Sequence, residues 1–106
     1  MAEWPFQDLP NVAVIANKRI VHQGEWIAYV SHDADDGGWQ FHVSDPAPPR
    51  EKDAAVVSLR SIVQLDPTVS DLADLPLGWH AWRESRDAQW QRTSWVSCGR
   101  SLENWA

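Results

Sequence analysis

The run HDADDGG at 32–38 holds three carboxylates ahead of two glycines, the densest set of oxygen donors in the chain. Asp33, Asp35 and Asp36 followed by Gly37 match the opening of a calcium loop, in which alternate carboxylates ligate and a glycine makes the bend. The spacing does not serve a cation. With Asp33 as first ligand, Gly37 falls on the fifth position and Ser44 on the twelfth, where a bidentate Glu is needed. The run therefore reads as a solvated acidic loop. The histidines, His22, His32, His42 and His80, form no HxxxH, HxH or Cys/His spacing that would aim two ligands at one ion. Cys98 precedes Gly99-Arg100, whose cation would favour a thiolate, but no general base can be assigned to it. A phosphate-cradling glycine loop and a GxSxG elbow are both missing. We expect no catalytic residue, no metal and no cofactor, which favours a binding protein over an enzyme.

Charge says what such a protein would bind. The formal charge is −6, and through Pro49 only Lys18 and Arg19 oppose Glu3, Asp8, Glu25, Asp33, Asp35, Asp36 and Asp45. From residue 79 onward the balance reverses, with Arg83, Arg86, Arg92 and Arg100 against Glu84, Asp87 and Glu103. Binding to nucleic acid begins with neutralised phosphates, and an acidic chain without a basic stripe is poorly suited to it. A protein with a basic surface is the electrostatic complement, while solubility alone is the plainer reason for net charge. Asp33, Asp35, Asp36 and Asp45 are the candidate partner-binding acids, and Trp39 joins them as an aromatic candidate. Eight Trp in 106 residues supply much area for a small core. Trp4 and Trp105, near the termini, are the ones expected to be exposed or to pin an end down.

The single Cys98 excludes an intramolecular disulfide, and a reducing compartment is the simpler expectation. Residues 1–10 carry no basic segment and no apolar run of the export type, and no apolar stretch reaches the about eighteen residues of a membrane span. We expect a cytoplasmic soluble protein, one domain over 1–106, without a membrane partner.

These residues need a frame, and its centre is VVSLRSIVQLDPTVSDLADLPLG at 56–78. Leu59, Ile62 and Val63 fall at helical spacing behind Ser58 as cap. Asp66-Pro67 stops that helix and starts a second, with Val69, Leu72 and Ala73 inward. Pro76-Leu77-Gly78 turns the chain out again. Ahead of this unit, 12–16 reads as a central strand that resumes at Ile20-Val21. Gln23-Gly24-Glu25 reads as a hairpin turn into a strand over 26–31. At 39–44, Trp39, Phe41 and Val43 alternate with Gln40, His42 and Ser44, so one face is core and the other wet. The proline-interrupted 45–53 reads as a surface loop and 54–57 as a short apolar link. Strands at 79–84 and 90–96 close the chain as a hairpin, and 101–105 has the pattern of a terminal helical turn. The expected architecture is α+β: a twisted antiparallel sheet of about five strands with two short helices packed on one face.

Taken in order, VAVIANKRIV, the QGE turn, WIAYV, GGWQFHVSD and the 56–78 unit resemble the immunity protein 33 family. The likeness spans 12–84. It is most specific at Gly38-Trp39-x-Phe41 and at Leu59, Ile62, Asp66-Pro67, Leu72, Pro76 and Gly78. The resemblance implies a bacterial antitoxin without enzymatic activity, which protects its cell by binding a cognate protein toxin. Two other readings remain at this level. One is a module that takes a carbohydrate or peptide on a tryptophan face made by Trp79, Trp82, Trp90 and Trp95. The other is a hydrolase using His42 or His80, neighbours across the sheet, with a nearby carboxylate.

Overall fold

In β1 and β3 burial alternates between a dry and a wet side, whereas in β2 and β5 it does not, because Ser31 and His80 are buried on the side opposite the core. The computed structural model describes residues 4–45 and 50–94. Six strands, β1 (Ala13–Asn17), β2 (Tyr29–His32), β3 (Trp39–His42), β4 (Ala54–Ser58), β5 (Trp79–Trp82) and β6 (Gln91–Ser94), form one sheet in the order β4-β1-β3-β2-β5-β6. Neighbours are antiparallel except β1 and β3, which run parallel with Ile15 beside Gln40 and Ala16 beside Phe41. The fold is α+β as expected, with a six-stranded mixed sheet in place of about five antiparallel strands.

The parallel pair has a local cause. Ile20 and Val21 do not resume the first strand; they lie in the helix α1 (Lys18–Gln23). Their β-branched side chains favour a strand, but the flanking residues cap a helix at both ends. Asn17 is extended and its side chain accepts the Arg19 N–H at 2.8 Å. Gly24, at φ 69°, closes the other end by donating its N–H to the Arg19 carbonyl. The expected positive φ at Gly24 is present, but it ends a helix instead of turning a hairpin. The chain thus leaves β1 by a helix, and β3 takes the place beside β1 that a hairpin partner would have held. The 54–57 link is likewise the strand β4, antiparallel to β1 through five register pairs.

The 56–78 unit forms as read. Ser58 caps α2 (Leu59–Leu65) through its hydroxyl, which accepts the Ser61 N–H at 3.1 Å. Asp66 caps the 3-10 helix Pro67–Leu72, accepting the Thr68 N–H at 3.0 Å. Gly78, at φ 81°, turns the chain into β5. Leu59, Ile62, Val69 and Leu72 pack with Ile20 of α1 against Val14, Ala16, Val30, Phe41 and Ala81 of the sheet. These three helices therefore cover the same face, whereas the 3-10 turn Glu51–Asp53 buries nothing. Trp4 is half-buried, packs against this core and donates its indole N–H to the Asp8 carbonyl, so it pins the start of the described chain. Among the described residues, no helix is long and apolar enough to cross a membrane. Trp95, Val96, Cys98, the 101–105 turn, Trp105 and the prolines at 46–49 lie outside the described residues.

One buried cation fastens this unit to the sheet. The Arg83 side chain, 1% exposed, donates to the Ile27 carbonyl at 2.8 Å, to Thr68 Oγ1 at 3.0 Å and to Asp66 Oδ2 at 2.6 Å. Its guanidinium also lies 4.2 Å from the centroid of the Trp90 ring. Removing one partner of such a pair leaves the other without its counter-charge, at a cost of about 3–5 kcal/mol. Arg83→Met is expected to lower stability by that order and Asp66→Asn by less, since the amide still accepts from Thr68. Urea titrations of both variants and of the double variant check this, with a non-additive double as the expected signature.

Candidate functional site

The acidic loop is held rigidly by its own backbone. Asp33 N–H donates to the Gly38 carbonyl at 2.8 Å, and Gly37 N–H donates back to the Asp33 carbonyl at 2.9 Å. Gly37 sits at φ 73°, where a side chain would be strained. Asp36 Oδ1 accepts the Gly38 N–H at 2.8 Å, and the His32 carbonyl accepts the Gly78 N–H at 2.7 Å, which ties the β2–β3 turn to the entry of β5. Asp35 and Asp36 are exposed. Among the described residues, no group of three His, Cys, Asp or Glu side chains is placed to hold a metal ion.

The five candidate partner-binding residues do not form one patch. Asp33, Asp35 and Asp36 share the loop. Asp45 follows the opposite end of β3, a strand of four residues and about 13 Å, and there it pairs with Arg19 at 2.9 Å. Arg19 also holds Glu25 through two hydrogen bonds of 3.0 and 2.9 Å, so Asp45 belongs to a surface ion network around α1. Trp39 is 3% exposed. Its ring stacks on His32 at 3.9 Å, meets Phe6 edge-on at 5.4 Å and donates its N–H to Asp8 Oδ2 at 2.6 Å. The anchor expectation for Trp39 is corrected accordingly: the ring lies in the core and braces the base of the acidic loop, because it points to the dry side of β3 with Phe41.

The wet side of the sheet carries polar and aromatic groups wired to that loop. Gln40 Nε2 donates to Asp33 Oδ2 at 2.8 Å, which leaves Gln40 Oε1 to accept from His42 Nε2 at 3.2 Å. That arrangement sets the proton of neutral His42 on Nε2. Tyr29 lies between the two strand histidines, its ring 5.7 Å from His42 and 5.5 Å from His80. Its hydroxyl is 3.1 Å from His80 Nδ1. Burial, and secondarily the charge of Asp33, raises the Tyr29 pKa well above its ordinary value, so the phenol stays neutral beside His80. Burial lowers the pKa of His42, with Asp33 opposing, and burial also lowers that of His80. The two histidines share a face as expected, but Tyr29 separates them. The coupled row Asp33–Gln40–His42 was not legible in the sequence. Its only signal was alternation, which put Gln40 and His42 on the wet side.

The tryptophans divide between the two sides. Trp79 and Trp90 pack against the core, whereas Trp82 shares the wet face with His80, 5.5 Å away. The described tryptophans therefore do not line one binding surface.

The chain that folds this way matches a known family. The Immunity protein Imm33 domain matches residues 14–94. The chain belongs to the Imm33 immunity protein family. The match includes every strand of the sheet, taking in all of β1 but its first residue, and it includes the acidic loop and the Arg83 anchor. No curated protein and no solved structure matches the chain.

For this Imm33 domain, burial of neutral imidazoles couples stability to pH. The folded-state pKa values of His42 and His80 lie below the ~6.5 of an exposed His, so between those values the unfolded chain binds more protons. Their contribution is fully present above ~6.5 and is lost as pH falls through the depressed values. The urea midpoint is expected to drop between about pH 7.5 and about pH 5.5, and the drop is expected to shrink in His42→Gln/His80→Gln. Equal drops in the two proteins would rule out this origin.

Proposed function

We propose that this chain is a cytoplasmic, non-enzymatic immunity protein that binds a cognate protein toxin and occludes its working surface. The family match over residues 14–94 carries the reading. The structure supports a docking surface made by the acidic loop and the adjoining wet face. Asp35 and Asp36 project from a turn whose backbone is already fixed, so little conformational entropy is lost on binding. Below them Gln40, Tyr29 and His42 are uncharged at neutral pH and partly exposed, a less costly surface to desolvate than a row of ions. The anionic loop suits a toxin with a basic surface and would act mainly on the rate of encounter.

The reading is tested by co-expressing the chain with the toxin encoded by the neighbouring gene and isolating the pair. Rescue of growth and a stable complex are expected; neither rescue nor complex would remove the proposal. Within such a complex Asp35→Lys, which breaks no bond of the loop, is expected to slow association about tenfold at low salt and progressively less as salt is raised. Stopped-flow or biolayer kinetics over a salt series reads this. An unchanged association rate at every salt concentration would move the docking surface elsewhere.

A further inference from the structure

The strand β4 ends the sheet, with β1 on one side and no strand among the described residues on the other. Its backbone groups point alternately toward and away from β1. Leu59 N–H donates to the Val12 carbonyl at 2.9 Å, and these two residues continue the β1–β4 register. Residues 55, 57 and 59 therefore face β1, while Ala54, Val56 and Ser58 face outward. Two of the outward groups are already engaged. The Ala54 N–H donates to the Glu51 carbonyl, and Ser58, as the cap of α2, gives its carbonyl to the first helical bond. Four groups remain: the Ala54 carbonyl, both groups of Val56 and the Ser58 N–H.

Protein edges of this kind are ordinarily blunted by a lysine, a proline or a bulge, and Ala54–Ser58 has none of them. Val56 is 72% exposed, and beside it in register lies Ile15, 41% exposed, on the same wet face. We propose that β4 pairs with β4 of a second copy of this chain, antiparallel about a two-fold axis at Val56, joining two six-stranded sheets into one. In that register each Val56 exchanges both its hydrogen bonds with the partner's Val56, and each Ser58 N–H meets the other copy's Ala54 carbonyl. The four groups are mutually complementary in this one arrangement, which is the condition for an isologous contact. The two Ile15–Val56 pairs meet across the axis and bury apolar surface that the single chain leaves wet.

Charge permits this pairing where the rest of the molecule would resist it. Around β4 stand Arg50, Glu51, Lys52, Asp53 and Arg60, of mixed sign, whereas the acids of the 33–36 loop lie at β2 and β3. Two copies of a chain of net charge −6 therefore meet along an edge without a like-charged field. The same neutrality makes the edge a poor match for a basic toxin, so this contact is separate from the docking surface proposed above. One strand pair buries less than the about 1,200 Å² of a standard interface, so the dimer is a weak one.

Sedimentation equilibrium of the full chain from micromolar to millimolar concentration tests the pairing. The average mass is expected to rise from 12.0 kDa toward twice that value. Val56→Pro removes an outward N–H without touching the bonds to β1, and Val56→Lys sets two ammonium groups together at the axis. Both variants are expected to stay monomeric at every concentration with an unchanged circular dichroism spectrum. In the wild type, the amides of Val56 and Ser58 are expected to shift and gain exchange protection with concentration. A wild type that remains monomeric throughout would overturn the proposal, as would variants that are folded and still dimerise. If the wild type is monomeric and Val56→Lys weakens capture of the toxin, the edge belongs to a toxin strand and self-pairing is wrong.

Discussion

The guanidinium of Arg83 is the point at which separate parts of this fold are made to agree. It stands just beyond β5 and reaches the carboxylate that caps the 3-10 helix, a hydroxyl on that helix and a carbonyl ahead of β2, with an indole closing one of its faces. Asp66 is thereby used twice, one oxygen for the helix cap and the other for the cation. A charge this deeply buried is tolerable only when its donors are engaged together, which makes the geometry nearly all-or-none. The helical unit is consequently held against the sheet, with α2 and the 3-10 helix Pro67–Leu72 on the dry side.

The two sides of the sheet differ in chemistry. The dry side is ordinary apolar packing, whereas the wet side is a hydrogen-bonded row from Asp33 through Gln40 to His42, flanked by Tyr29 and His80. A fixed His42 tautomer and a fixed loop make a surface that needs little rearrangement. Under the proposed reading, in which this face docks on a toxin, preorganisation of this kind lowers the entropy lost on binding.

Much of this was readable from residue order, and the failures share a cause. Ser58, Asp66-Pro67 and Gly78 were legible because each acts on the chain next to it. The alternation at 39–43 was legible for the same reason. The α1 helix was misread because Ile20 and Val21 argue for a strand while Asn17 and Gly24, the residues that decide, look equally like a bulge and a turn. Once that element is wrong, the hairpin, the parallel pair and the role of 54–58 as a strand are all lost together. Within the site, the acids of the loop were visible as charge. The split between an engaged Asp33 and a projecting Asp35, the burial of Trp39 and the pairing of Asp45 with Arg19 depend on residues far away in the chain. Arg83 enters the sequence reading only as one charge among four arginines, for the same reason.

The position of β1 also governs the order in which the chain can acquire structure. Its two neighbours are β3 and β4, so β1 gains its first ladder only when residues 39–42 are present and its second only when residues 54–58 are. Until β3 is present the apolar segment Val14-Ile15-Ala16 waits without a ladder, a delay that a hairpin would have shortened.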